Sequence, residues 1–413
     1  MAMPLDGIRV IDWTSGQFGP TATSMLGDLG ADVIKLEGPT HVDPGRDFHT
    51  IMGRAQSGLP EGPNYFFESN NRSKRGITVD VTKEEGLEIV YRLVKTADVF
   101  VNGFRKPVAL KVGLDYKALS QHNQKLIYAY GNAFGPDGPD SDKPGVDYVA
   151  QARSGFMTLV GEPDTPPLVA EGGIADTTGA VFLSYAIVTA LLARERLGVS
   201  QEVDVSILGS MIAAQGGNVS AFAILGHEIA KHERARAGNP LWNHYKCADG
   251  KWLAFAMLWS DRCWPDFCQI LGIQHLQNNP KFLSMEARRV NAEELVSILD
   301  NILITRPRDE WVKILDNEFS RGADIIYSAV NTLSDLPNDP QVIANEYITT
   351  FNHPTLGDIK MLGLPYRFTK TPGVVGGSQH RAAPGLGQHN EEVLLELGYT
   401  QDDIVRFKQK AVI

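Results

Sequence analysis

Residues Ile8 to Glu37 restrict the possible folds more than any other stretch. Ile8–Asp12 (IRVID) is a short run of β-type residues, and Gly16–Pro20 is a turn. Thr21–Leu29 has helical character, and Gly30 stands where a glycine ends a helix. Ala31–Glu37 (ADVIKLE) is a second β-type run. A strand, a helix and a strand within roughly 30 residues leave the two strands parallel, because the helix carries the chain back to the starting edge. The alternation continues through Ile77–Val81, a helix from Thr82 to Thr96, Ala97–Asn102, a helix at Tyr116–His122 and Leu126–Gly131. The expected fold class is therefore α/β, with a Rossmann-like, doubly wound parallel sheet. Its first turn lacks GxGxxG, so NAD is not expected.

Sheets of this kind bind ligands outside the carboxyl ends of their strands. Those ends carry Gln17–Gly19, Gly38, Val81–Thr82, Gly103–Phe104 and Asn132–Gly135. Phe104, followed by Arg105, Lys106 and Lys111, suits a flat base joined to phosphates. The stretch FFESNNRSKR ends in Arg72, Lys74 and Arg75, which reads either as a solvated charged loop or as a phosphate-facing patch. Gly38–Asn64 is polar and long for a loop, and such loops are often functional.

The length of 413 residues, 43% hydrophobic and 21% charged, fits a soluble globular chain with room for two domains. Residues 1–200 read as the large domain, 201–224 as a linker helix in which Gln201–Ser206 is a strand and Ile207–Leu225 one long helix, and 225–330 as a smaller α+β domain with a hairpin turn at Asp249-Gly250. Residues 331–413 follow as a linker and C-terminal segment. A formal net charge of -10 speaks against nucleic acid or an anionic membrane as partner. The apolar run Ala180–Ala193 is broken by Ser184, Tyr185 and Thr189, which speaks against a membrane span. Three cysteines without a CxxC pair point to a reduced compartment, with no disulfide framework and no metal site. The first residues lack a basic segment followed by a long apolar run, so a cytoplasmic location is expected.

One further stretch combines chemistry with a buried helix: EGGIADTTGAVFLSYAIVTALLARERL, Glu171 to Leu197. Two readings of Asp176 stay open on the residues alone. It is an N-cap whose carboxylate accepts the free N–H groups of the first turn. Alternatively it is a nucleophile, with Gly172 and Gly173 letting a substrate approach the backbone.

Eight stretches together resemble the class III CoA-transferases, the group of formyl-CoA:oxalate CoA-transferase, carnitine CoA-transferase and the α-methylacyl-CoA racemases. They are PLDGIRVIDWTSGQFGP, LGADVIKLEGP, NRSKRGITVDV, GVDYVAQARSG, IADTTGA, DGKWLAFA, NDPQVIANEY and PGLGQHNEEVLLELG, in the family's order over almost the whole chain. The resemblance implies a large Rossmann-like domain, a small domain on two linkers, a C-terminal segment returning to the large domain, and an interlocked dimer. A homodimer is the expectation, with a heterodimer of homologous subunits as the alternative. It implies acyl-CoA and a small carboxylic acid as substrates, with coenzyme A carried as acyl-CoA and no metal. Asp176 becomes the nucleophile that forms an aspartyl-CoA thioester, and Gln17 an amide donor to the acyl oxygen. The CoA site falls by position on Gln17, Phe18, Gly38, Val79, Asp80, Val81, Thr82, Gly103, Phe104, Lys111 and Asn132.

The chain also departs from the pattern. The formyl-CoA enzyme has arginine where Gly38 and Lys111 stand, asparagine at Gly103, and lysine at Thr82 and Asn132. Lysine for arginine keeps the charge and loses the bidentate fork. Arg46, Lys74, Arg75, Arg105 and Lys106 are the cations available in compensation. The glycine-rich loop that covers the formyl-CoA enzyme's site has no counterpart, and Trp242, His244 and Tyr245 either shape an acid pocket or pack the small domain. The racemases place a histidine before the aspartate of a GHD motif; here the motif is Gly145-Val146-Asp147, and valine carries no proton. A CoA-binding partner subunit without turnover is the other alternative. Mono- and dicarboxylates both stay open, with a dicarboxylate such as succinate as the working expectation.

Overall fold

The structure is a computed structural model that describes residues 2–47, 65–375 and 381–413. The long loop after Gly38 lies outside the described residues from position 48 to 64. The chain forms two compact units. The first comprises Met1–Thr158, Val169–Glu228 and Pro337–Ile413, and the second Leu159–Leu168 and Ile229–Leu336.

The first unit is built on six parallel strands: β1 (Arg9–Trp13), β2 (Asp32–Glu37), β3 (Lys74–Thr78), β4 (Val99–Asn102), β5 (Ile127–Asn132) and β6 (Glu202–Ser206). Their order is β3-β2-β1-β4-β5-β6, the doubly wound arrangement. The order in which strands are added reverses between β1 and β4, which opens a crevice at their carboxyl ends.

Successive strand residues point to opposite faces, and both faces are covered. Ile11, Ile34 and Phe100 pack into a layer with α2 (Glu84–Thr96) and with Val393, Leu394, Ile404 and Phe407 of the C-terminal helices. Val10, Val33, Val99 and Val101 pack on the other face with α1 (Phe18–Gly27), α3 (Asp147–Arg153) and α4 (Ile174–Leu197). Near-continuous valine and isoleucine along these strands follows from this double burial.

Residues 201–224 are not a separate linker. β6 pairs with β5 in register Ala129↔Val203, and the segment belongs to the first unit. The expected single helix to Leu225 is two, α5 (Ile207–Ala214) and α6 (Gly216–Leu225), bent by 72°. Gly216-Gly217 at the break explains it, because glycine is the poorest ordinary helix former.

Neither reading of the Arg72–Lys74–Arg75 cluster describes the structure. All three residues are buried, and β3 begins at Lys74. The Lys74 ammonium donates to Asp12 Oδ2 (2.7 Å), Pro20 O (2.8 Å), Asn71 Oδ1 (2.9 Å) and Asn70 O (3.1 Å). Burial lowers its pKa to about 8, against the attraction of Asp12. Lys35, equally buried, donates to Asp43 Oδ2 (2.7 Å) and Thr14 O (3.2 Å). Arg72 pairs with Asp28 at 2.7 Å, and Arg75 with Asp32 (2.7 Å) and Glu396 (2.6 Å). These cations tie strands and helices together.

The second unit is an antiparallel sheet of β7 (Trp242–Lys246), β8 (Trp252–Ala256) and β9 (Tyr327–Val330), packed under helices that include Ser260–Ile270 and Ala292–Leu303. Asp249-Gly250 lies between β7 and β8, with Gly250 at φ +79. Tyr245 is a core residue whose hydroxyl donates to Pro240 O at 2.6 Å.

Replacing one member of a buried ion pair leaves the other uncompensated, at a cost of about 3–5 kcal/mol. Lys74→Ala is expected to destabilise the first unit by that order, read as a lower urea midpoint. An unchanged midpoint refutes the anchoring role.

Candidate active site

α4 begins after two glycines in the left-handed region, Gly172 (φ +87) and Gly173 (φ +70). Gly173 is the N-cap, so Asp176 lies within the first turn and does not cap it. The cap comes from another segment. Asp147, at the start of α3, accepts through Oδ1 the N–H groups of Ala175 (2.7 Å) and Asp176 (3.2 Å). Its other oxygen accepts from Gln151 Nε2 at 2.7 Å. Gln151 is fully buried and also bonds the backbone of Ala170, at 2.9 Å in both directions.

This arrangement sets the state of Asp176. The helix amides that would stabilise its anion already serve Asp147, and no hydrogen bond reaches the Asp176 carboxylate among the described residues. Burial first, and the negative charge of Asp147 second, push its pKa up to about 7. A carboxylate in the first turn of a helix, without a hydrogen-bond partner among the described residues, has the chemistry of a nucleophile when ionised.

Gln17 meets this corner from the β1–α1 turn. Its Nε2 donates to Gly172 O (3.2 Å), Gly173 O (3.4 Å) and Thr177 Oγ1 (3.1 Å). A Cβ on Gly173 would sit 2.1 Å from Gln17 Oε1, so only glycine permits this approach. The structure thus places Gln17 against residues on both sides of Asp176 in the chain. Phe18 differs from expectation. Its ring is buried, with Gly131 on β5 and Gly179 on α4 so close that an added Cβ would lie 2.8 and 2.9 Å from it. The ring is a spacer that seats α4 on the sheet, and its side chain is not open to a ligand.

A cleft of about 320 Å³ lies at the carboxyl ends of β1, β2 and β3. Gly38, Val79, Asp80, Val81, Thr82 and Phe104 all line it, together with Trp13, Val108 and Val112. Phe104 faces Trp13 at 4.5 Å between ring centroids. Thr14 and Ser15 also line the cleft, three and two residues before Gln17, so one turn joins it to the Asp176 corner. Gly103, Lys111 and Asn132 are not among its lining residues. Gly103 packs at the switch point, where an added Cβ would lie 3.1 Å from the Thr14 Cβ. Lys111 is exposed in the last turn of the helix Lys106–Lys111. Asn132 ends β5; its Oδ1 accepts from Gly135 N–H at 2.5 Å, and its buried Nδ2 has no partner among the described residues.

Of the compensating cations, Lys74 and Arg75 are bound internally as above, and Arg46 pairs with Glu37 at 2.6 Å. Lys106 stands near Asp204 (3.5 Å) and over the Tyr130 ring (5.2 Å), and Arg105 is exposed. Asp147 is the functional residue that single-residue reasoning passed over. The signal was available in GVD, a stretch read only for its valine.

The sheet, cleft and carboxylate corner agree with comparisons to known proteins. The chain matches CoA-transferase family III over residues 5–390 and belongs to that family. It is 32% identical over 418 residues to succinyl-CoA–D-citramalate CoA-transferase of Chloroflexus aurantiacus, covering 99% of this chain and 98% of the relative. It is 29% identical over 412 residues to (R)-2-hydroxy-4-methylpentanoate CoA-transferase of Clostridioides difficile, covering 100% of both. Among solved structures, a CAIB/BAIF family protein from Brucella suis superposes with a TM-score of 0.84 at 29% identity, covering 96% of this chain and 100% of that one. The chain is thus a CoA-transferase by family, and an acyl-CoA is its substrate class.

The environment of Asp176 makes a direct prediction. Its carboxyl, followed by carbon NMR in the full-length protein, is expected to titrate near pH 7. Asp147→Asn keeps an acceptor for the helix amides and removes the charge, so the midpoint should move to lower pH. A wild-type midpoint at the ordinary aspartate value refutes the arrangement.

Proposed function

We propose that the chain transfers CoA from an acyl-CoA to a carboxylic acid through a covalent aspartyl-CoA thioester on Asp176. The observation that carries this reading is the unpartnered Asp176 carboxylate beside the Gly172–Gly173 turn, in a chain of this family. A carboxylate oxygen of Asp176 attacks the donor's thioester carbonyl, and the C–S bond breaks to give a mixed anhydride and CoA thiolate. The thiolate then attacks the aspartyl carbonyl, releasing the donor's acid and leaving the aspartyl-CoA thioester. An acceptor carboxylate attacks that thioester, the thiolate leaves, and its return to the acceptor's carbonyl releases the new acyl-CoA and restores Asp176. Each step exchanges one activated acyl for another, so the cycle is near balance and splits a difficult displacement into easier ones.

Only the ionised carboxylate attacks, so kcat/KM rises as pH rises through the free-enzyme pKa. Gln17 serves as donor to the developing oxyanion. In the free protein its amide hydrogens are held by Gly172, Gly173 and Thr177, so the amide must turn toward the substrate. The cleft with Trp13 and Phe104 holds the base of CoA, and Lys111, Arg105 and Lys106 are the cations for its phosphates. The thiols of Cys247, Cys263 and Cys268, all free and buried, suit a cytoplasmic location.

A dimer belongs to the same proposal. α4 presents Val181, Tyr185, Val188 and Leu192 outward, and α6 has no buried residue. Exposed apolar faces of this extent mark a protein interface, and a second copy of the chain is the partner. Val146 in the GVD stretch leaves no acid–base histidine for racemisation.

Intact-protein mass spectrometry after mixing with a panel of acyl-CoAs tests the covalent step. A mass change localised to Asp176 and absent from Asp176→Ala is expected. CoA binding without any adduct overturns it in favour of a non-catalytic partner subunit. Separately, Lys111→Ala should weaken CoA binding several-fold in calorimetry; an unchanged affinity removes Lys111 from the site.

A further inference from the structure

The cleft at the carboxyl ends of β1, β2 and β3 has an acidic wall. Glu37, Asp43 and Asp80 line it, and no lysine or arginine does among the described residues. Lys111, Arg105 and Lys106, the cations proposed for the phosphates of CoA, stand outside that lining. A wall of bare carboxylates would repel a phosphate. Each of the three is instead met by partners of its own. Glu37 accepts from the Arg46 guanidinium at 2.6 Å and from the N–H of Asp43 at 3.1 Å. Asp43 accepts from Lys35 Nζ (2.7 Å) and from the N–H groups of Gly16 (2.9 Å) and Gly45 (2.8 Å). Asp80 accepts from the Thr82 hydroxyl (2.6 Å) and N–H (3.1 Å), with Lys83 Nζ 3.5 Å away.

Among the described lining residues, His41 is the one side chain able to carry positive charge, and it is exposed. Its Nδ1 lies 3.1 Å from Thr40 Oγ1, and its Nε2 has no partner among the described residues. A Thr40 hydroxyl that donates to Nδ1 leaves the ring proton on Nε2, where it can be given to a ligand. Gly38 lets the loop fold tightly at this point: an added Cβ would lie 3.3 Å from the His41 carbonyl oxygen and 3.4 Å from the His41 Cβ. We propose that His41 is a phosphate contact of the cleft, its Nε2 donating to a phosphate at the nucleotide end of CoA. A hydrogen bond from imidazole to a phosphate oxygen is charge-assisted, and stronger than one between neutral groups. The inference rests on CoA being the ligand of this cleft.

The test is titration calorimetry on the full-length protein with two ligands, CoA and pantetheine, the second of which lacks phosphate. His41→Ala is expected to weaken CoA binding by about 10-fold, the loss of one charge-assisted hydrogen bond. Pantetheine binding should stay within about 2-fold, since it offers no phosphate oxygen. His41→Arg keeps a cationic donor and should hold CoA within about 2-fold of the wild type. Three results overturn the contact while leaving the aspartyl chemistry intact: unchanged CoA affinity in His41→Ala, pantetheine weakened as much as CoA, or His41→Arg as weak as His41→Ala. Wild-type protein that binds no CoA overturns the contact and the proposed function together.

Discussion

The buried ionic network beneath the β1–α1 turn holds the rest of the site in place. Asp12, Lys35, Asp43 and Lys74 sit out of water on adjacent strands and the loop after β2. Lys35 binds the carbonyl of Thr14, Asp43 accepts the N–H of Gly16 at 2.9 Å, and Thr14 donates to Asp12 at 2.5 Å. Burial raises the pKa of Asp12, and the ammonium groups of Lys74 and Lys35 more than offset this and hold it low. Such a network stabilises little against an apolar replacement, but it tolerates no missing partner. Its effect is geometric: these bonds anchor the chain from Thr14 to Gln17, which lines the cleft at one end and reaches Thr177 at the other.

The reacting corner follows the same principle of borrowed partners. A helix that starts with glycines has no side chain of its own for its first amides, and Asp147 supplies one from α3. The same contact brings a negative charge next to Asp176. One interaction therefore orients the first turn of α4 and keeps its amides from stabilising the Asp176 anion. Gln151, fixed between Asp147 and Ala170, carries the constraint into the segment leading to Gly172.

Much of this was legible from local pattern. The strand–helix alternation from Ile8 to Gly131 predicts the parallel sheet, because each crossover must return the chain to the same edge. The strand ends picked from it include Gly38, Val81–Thr82 and Phe104, which do share one cleft. The misreadings have a common cause. Arg72, Lys74 and Arg75 look like a solvated or ligand-facing cluster because a sequence shows charges and not their partners. Asp12, Asp28 and Asp32 lie more than 40 residues away and reach them only through strand pairing. Phe18 looks like a ligand residue by position, yet its ring fills the space left by Gly131 and Gly179.

The sequence by itself determined the class of fold and the family, and it singled out Asp176 and Gln17, since hydrophobic period, turn glycines and ordered motifs are local properties of the chain. Tertiary structure alone decided what those residues can do. Whether Asp176 caps its helix or stands free depends on Asp147, which approaches across the gap between α3 and α4. Whether a lysine faces a phosphate or a buried aspartate depends on which strands lie side by side. Charge and protonation are set by distances between residues remote in the chain, and those distances exist only once the sheet has formed.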